Sequence, residues 1–242
     1  MEMLNEDFFG RIAIVVVMTM LATSGAIPLF LYFRQDTSAS SLAVVTQLTS
    51  TVFLLLQLVM TITRLPPKGT ARGIEPRVTS VAGTFMILLA LSLTPALQSE
   101  AAQVTALCLV FIGTASSIFC LYWLGRSFSL MATARRLVTT GPYSIVRHPL
   151  YICEAVFVIG MILSHLSVLM VALGALQFLL QYRRARNEET ILRQTFPEYD
   201  DYLRSTPMLI PSVSCIYRWR RHRRVVPGSK RAELPHDSAP RA

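Results

Sequence analysis

The sequence predicts an all-α fold, a polytopic membrane helical bundle of four full spans followed by a C-terminal membrane helical hairpin. Three observations carry this. Charge is scarce and confined to islands: 15% of the 242 residues are charged, against about 25% in a soluble domain, and residues 12–33, 37–63, 78–99, 101–125 and 155–182 hold no charge at all. Each stretch reaches roughly the 20 residues a helix needs to cross about 30 Å of hydrocarbon. The runs are unbroken rather than alternating, so helices and not barrel strands must satisfy the backbone in lipid. Finally, the cations are asymmetric. If the N-terminus lies inside, the outer loops "RQDTSASS" and "QSEA" hold Arg34 alone of 23 Lys and Arg, which is the positive-inside signature.

The first span is read at 12–33. Its flank "MEMLNEDFFGR" is net acidic and its apolar stretch long, so it reads as a retained span and not a cleaved signal peptide. The next three spans fall near 42–63, 78–97 and 102–124. Between the second and third, "RLPPKGTARGIEPR" is basic and rich in Pro and Gly, as a cytoplasmic loop is.

Residues 150–182 cannot be one crossing. A straight helix of that length would run about 50 Å, and it would carry the thirteen cations beyond residue 182 to the outside, against the charge rule. Both conflicts vanish if the chain turns back near "SHLS", 164–167. Each arm is then about 23 Å long, both ends are cytoplasmic, and the second arm continues into the interface as "QYRRARNEETILRQTF". His165 is read as a polar turn residue. The tail 212–242, with "YRWRRHRR", is expected to be basic, partly disordered and close to anionic headgroups.

Two function classes recede at this point. The net charge of +9 is explained by topology, so nucleic acid is not an expected partner. Cys108, Cys120, Cys153 and Cys215 show no metal-ligand spacing and read as reduced packing residues; no metal is expected. The sequence does not fix the oligomeric state.

Chemistry concentrates in "GPYSIVRHPLYICEAVF", residues 141–157. Gly141-Pro142 reads as a turn, and Pro149 suits the first position of a helix. The following N–H groups then lack intrahelical partners and, beside Arg147 and His148, form an anion site at the membrane surface; an interfacial helix cap with nearby cations is the ordinary alternative. In "YRRARNEETILRQTFPEYDDYL", Arg184 and Glu188 share a helix face, either as a surface ion pair or as part of a site. The hairpin should bring them beside Arg147 and His148. Glu154, one turn inside from Leu150, either pairs with Arg147 or His148 or faces a polar cavity, since a charge near hydrocarbon is costly and usually kept for function.

"LVTTGPYSIVRHPLY", followed one hairpin length later by "RRARNEETILRQTFPEYDDYLRSTPMLIP", resembles the isoprenylcysteine carboxyl methyltransferase family over about 125–211. The resemblance implies an integral membrane enzyme using S-adenosylmethionine, with a cytoplasmic cofactor pocket and a lipidic methyl acceptor arriving from the bilayer. It implies cofactor contacts at Leu137, Val138, Tyr143, Arg147, His148, Pro149, Leu150 and Glu188, and Arg184 beside the accepting group. Arg135 stands where the eukaryotic members have a cofactor-contacting His. The chain thus divides into 1–124, four spans; 125–211, the catalytic region with the hairpin 150–182; and 212–242, the tail. The terse loops suggest a bacterial inner membrane.

A carboxylate acceptor is ionised at neutral pH and needs no base, so the work is positioning, with Arg184 as a two-pronged donor. Three other readings stay open. A related phospholipid N-methyltransferase would need a base such as Glu154. An NADPH-dependent membrane sterol reductase has a similar stretch to "RHPLYICE". A membrane scaffold would keep the site without activity.

Overall fold

The computed structural model describes residues 2–35, 41–71 and 73–211, so the expectations for the tail lie outside the described residues. Seven helices are described: α1 (Glu2–Gln35), α2 (Ser41–Thr63), α3 (Ile74–Leu93), α4 (Glu100–Leu124), α5 (Pro149–Ser164), α6 (Val168–Thr195) and α7 (Tyr199–Ser205). Among the described residues, four stretches are long and apolar enough to cross a membrane: Ile14–Tyr32, Ser41–Thr63, Ile74–Leu93 and Glu100–Ser127. The all-α polytopic bundle is therefore as expected. Large apolar side chains such as Val16, Leu55, Leu89 and Leu179 stay exposed on its outside, as lipid-facing surfaces require.

Local chemistry sets the helix ends. The third span differs from the sequence expectation by about a turn at each end. It begins at Ile74, just after Gly73 at φ 103°, and takes Glu75 and Pro76 into its first turn, where a proline costs no hydrogen bond. It ends at Leu93 because Thr94 precedes Pro95 and is forced into extended geometry, φ −125° and ψ 137°,. α4 starts on Ser99, whose hydroxyl accepts from the Ala102 amide at 3.4 Å. α6 starts in the same way on Ser167, which accepts from Met170 at 3.1 Å,.

The hairpin forms as the charge argument demands. α5 stops at Ser164, His165 caps it, and α6 runs back from Val168 past the apolar zone to Thr195. The tip is fastened to the α3–α4 connection: the Leu97 amide donates to the Ser164 carbonyl at 2.8 Å, and the Gln103 amide side chain donates to Leu97 and Ser164 carbonyls at 2.7 and 2.9 Å. Hence both hairpin ends share the opposite end of the bundle with the start of α3 and the close of α4. α4 lies centrally, packed on α2 and α5, while α6 packs on α3.

A two-residue ladder, β1 (Gly69–Thr70) antiparallel to β2 (Thr133–Ala134), ties the α2–α3 loop to the segment after α4. It is too short to leave a sequence signal. The α4–α5 interface is close enough to need glycine. A Cβ on Gly113 would lie 2.6 Å from the Phe157 backbone nitrogen, and one on Gly160 would lie 2.9 Å from the Ala106 carbonyl oxygen. Small residues at such crossings let helices approach in lipid.

Candidate active site

The site lies at the end of the bundle where α4 stops and the hairpin begins and returns. After Gly125, at φ 52°, the chain crosses that end irregularly until the 3₁₀ turn Gly141–Ser144. Gly141 sits at φ 63°, where a Cβ would lie 2.3 Å from the Trp123 ring. Only glycine combines that left-handed backbone with that contact. Pro149 then takes the first position of α5, as expected of a proline there.

A cleft of about 910 Å³, counting its open mouth, lies between this crossing segment, α5, α6 and α7. Nine of the ten sequence-predicted site residues line it: Leu137, Val138 and Tyr143 on one wall, Arg147, His148, Leu150 and Glu154 on the hairpin's first arm, and Arg184 and Glu188 on its second. Pro149 does not. It lines a separate groove with Ile152 and Cys153, because positions i, i+3 and i+4 share a helix face and Leu150, Tyr151 and Glu154 occupy the other. Cys153 and Cys120 approach there, with sulfurs 3.7 Å apart; both are free thiols.

The charges converge as the hairpin predicts, but their pairing differs. Arg147 does not present a vacant guanidinium. Its Nε and Nη2 each reach Glu189 Oε1 at 2.7 Å, and its Nη1 donates to the Thr206 carbonyl at 2.5 Å. His148 Nε2 lies 3.3 Å from the same Glu189 oxygen, and Nδ1 lies 3.9 Å from Glu188 Oε2. Glu188 accepts from the Tyr151 hydroxyl at 2.5 Å. Glu154 pairs with neither Arg147 nor His148; Gln181 Nε2 donates to its Oε2 at 3.0 Å. Arg135 lines the cleft as well, is buried, and donates to the Leu65 carbonyl, which fastens the α2–α3 loop there.

The segment after α7 closes one side. Arg147 and His148 amides donate to the Pro207 and Met208 carbonyls at 2.9 and 3.1 Å, and Tyr202 Oη donates to the Tyr143 carbonyl at 2.5 Å. This gives "FPEYDDYLRSTPMLIP", the close of the second motif, its place at the cleft.

Arg184 is buried where the cleft meets the bundle interior. It is 6% exposed, its guanidinium carbon stands 5.3 Å from the Tyr151 ring centroid, and Nη2 donates to the Leu130 carbonyl at 3.3 Å. Its Nε has no partner among the described residues. On α3, Gly83 makes room for it: a Cβ there would lie 2.9 Å from Arg184 Cδ.

Further polar atoms around the cleft are buried without a partner, namely the hydroxyls of Ser127, Ser129, Thr133, Tyr143 and Tyr199. Native proteins leave few such groups unsatisfied, so the cavity they surround suits a polar occupant, water or ligand. Burial pushes the Tyr143 and Tyr199 phenols above their ordinary pKa, so both stay protonated. Sequence reasoning missed Ser127, Ser129, Thr133 and Tyr199, together with Tyr151 and Glu189; of the unpartnered hydroxyls it expected that of Tyr143 alone. The hydroxyls of "SFSLMAT" sit in an irregular stretch with no periodicity to expose them. Among the described residues, no group of three or more His, Cys, Asp or Glu is placed to hold a metal ion.

Glu189 yields a pH prediction. Desolvation would raise its carboxyl, but hydrogen bonds from His148 and Arg147 outweigh this and hold it below the ordinary carboxylate value. A depressed native pKa stabilises the fold above the unfolded value, about 4.3 for Glu, and that stability is lost as pH falls further. Melting temperature in detergent should therefore drop more steeply below about pH 4.3 for the native chain than for Glu189→Gln. Parallel curves for the two proteins would remove Glu189 as the source.

Fold and cleft together define a class: an integral membrane protein with a polar ligand cleft at the open end of a helical hairpin. Residues 101–199 match the phospholipid methyltransferase family, which includes isoprenylcysteine carboxyl methyltransferase-like membrane methyltransferases, and the resemblance read from the two motifs is borne out over that region. The nickel-cobalt-cadmium resistance protein NccN of Alcaligenes xylosoxydans xylosoxydans is 41% identical over 107 residues, 43% of this chain and 47% of that protein. The cobalt-zinc-cadmium resistance protein CzcN of Cupriavidus metallidurans is 38% identical over 111 residues, 45% of this chain and 48% of that protein. The chain thus spans about half the length of the curated relatives it matches.

Proposed function

We propose that this chain is an S-adenosylmethionine-dependent membrane methyltransferase acting on the carboxylate of a lipid. The observation that carries this is Arg184, a buried guanidinium with an unpartnered Nε, lining both the cleft and a second cavity inside the bundle. Catalysis belongs to 125–211, with the four spans as its frame. The cleft lies at the cation-rich end, which the positive-inside rule assigns to the cytoplasm.

The cleft's residues fit the cofactor. Leu137, Val138 and Leu150 offer apolar walls to a flat base, Glu188 offers a carboxylate to amino or hydroxyl donors, and the unpartnered hydroxyls of Ser127, Ser129 and Thr133 offer polar edges. Bound S-adenosylmethionine supplies an electrophilic methyl group. The protein's part is to bind, orient and exclude water.

Arg184 orients the acceptor carboxylate through its planar fork. Tyr151, under that guanidinium and hydrogen-bonded to Glu188, couples the acceptor side to the cofactor side. Arg147, saturated by Glu189 and the 206 carbonyl, is assigned a positioning role: it holds the start of α5 where His148 and Leu150 face the cleft. The family's name points to phospholipids, whose amine acceptors are disfavoured here. An ammonium would meet the Arg184 charge, and Glu154, the base an amine would need, already accepts from Gln181. The relatives' names concern resistance to nickel, cobalt, zinc and cadmium and name no acceptor.

Thermal melting of the purified protein in detergent tests this reading against its rivals. S-adenosylhomocysteine alone should stabilise it. Stabilisation by NADPH alone, or by neither compound, overturns the assignment, the second result favouring a scaffold.

A further inference from the structure

The second cavity, about 1190 Å³ counting its open side, lies between α1–α6, within the depth of the spans. It meets the cleft at Leu130, Glu154 and Arg184, which line both. Its wall is not simply hydrocarbon. On α6, Gln177, Gln181, Arg184 and Glu188 are spaced i, i+4, i+7 and i+11, one helix face, so a polar stripe runs from the cleft into the cavity. Gln57 reaches the same cavity from α2 and is 7% exposed.

Gln177 is the informative member. It is 4% exposed, and its Nε2 donates to the Gly83 carbonyl at 2.6 Å. A carbonyl partner fixes which end of the amide is nitrogen. The remaining Oε1 is an acceptor, it is buried, and it has no partner among the described residues. An unsatisfied amide oxygen at membrane depth is costly. A chamber built for plain hydrocarbon has no use for one.

We propose that the methyl acceptor is a lipid acid whose chain carries a hydrogen-bond donor, a hydroxyl or amide N–H, that Gln177 Oε1 receives inside this chamber. This rests on the carboxylate reading above and departs from an all-hydrocarbon isoprenoid tail. Seven residues separate Gln177 from Arg184, or about 10 Å along the helix. The donor therefore belongs about that far from the carboxylate that Arg184 holds.

The probes are 10-hydroxyoctadecanoate and octadecanoate, alike except for a hydroxyl at roughly that distance in an extended chain. Each is titrated into the full chain in detergent saturated with S-adenosylhomocysteine, and binding is read by thermal shift. The native protein should bind the hydroxy acid about tenfold more tightly, the effect of one buried hydrogen bond. In Gln177→Met that preference should vanish. Equal affinities in the native protein, no binding of either acid, or a preference that survives in Gln177→Met would each overturn the proposal. The native comparison stands even if the variant fails to fold. Because binding is read, its failure leaves the separate S-adenosylhomocysteine result intact, and failure of the methyltransferase reading shows there instead.

Discussion

Arg184→Lys is expected to lower turnover by about a hundredfold while affinity for S-adenosylhomocysteine is kept. A misplacement of one ångström at a reacting centre costs about that much. The charge survives the substitution; the geometry does not. In the native site the guanidinium spans the Leu130 carbonyl, the Tyr151 ring face and the opening between the two cavities. A lysine ammonium is a point donor on a thinner stem and cannot hold a carboxylate by two parallel bonds while keeping the Leu130 contact. The cofactor side should be little affected, because Glu188 is positioned by Tyr151 and His148 rather than by Arg184. Single-turnover methylation with a lipid acid, alongside thermal titration with S-adenosylhomocysteine, separates the two effects. Turnover within a few-fold of native would take Arg184 out of the chemistry.

How much of this could be read from the sequence depends on the kind of signal. The hairpin was legible because its evidence is global: the 33 residues 150–182, charged only at Glu154, are too many for one crossing, and the cations beyond 182 forbid the other topology. From the hairpin follows the meeting of Arg147 and His148 with Arg184 and Glu188, residues some 40 positions apart. The pairing within that meeting was not legible. Glu188 and Glu189 are chemically alike and about 100° apart on α6. Arg147 takes Glu189, which lies one turn from buried Ala185, while Glu188 falls on the Arg184 face. Only helix rotation decides this. Pro149 was misplaced for the same reason, since a motif read as a string ignores which residues of a helix start share a face. The unpartnered hydroxyls at 127–133 depend on an irregular crossing held by a two-residue ladder, which no periodicity reports. Arg135 shows another limit. A family position that carries a ligand contact elsewhere here fastens the α2–α3 loop through the Leu65 carbonyl.

Gly113→Leu should abolish folded protein. At Gly113 α4 touches α5 through backbone: a Cβ would lie 2.6 Å from the Phe157 nitrogen, 2.9 Å from its Cα and 2.9 Å from the Cys153 carbonyl oxygen. No side-chain rotation relieves a clash with backbone, so the helices must move apart. Overpacking by one or two methylenes typically costs about 1–3 kcal/mol; a whole leucine side chain driven into backbone costs more, enough to consume a stability at the low end of about 5–15 kcal/mol. In lipid the loss is harder to recover, because close packing rather than hydrophobic exclusion holds the helices together. The displaced helix is the one that carries His148, Tyr151 and Glu154, so Gly113→Ala, if it folds, should lose S-adenosylhomocysteine affinity as well as melting temperature. Gly125 is the control. Its φ of 52° and ψ of −135° disfavour a side chain, but a Cβ there meets nothing within 4 Å, so Gly125→Ala carries only backbone strain of about 1–3 kcal/mol. Size-exclusion profiles and melting curves of the three variants give the order: Gly125→Ala nearest native, Gly113→Ala lower, and Gly113→Leu without a folded peak. A monodisperse Gly113→Leu protein that still binds S-adenosylhomocysteine would contradict the α4–α5 contact on which the placement of the whole cleft depends.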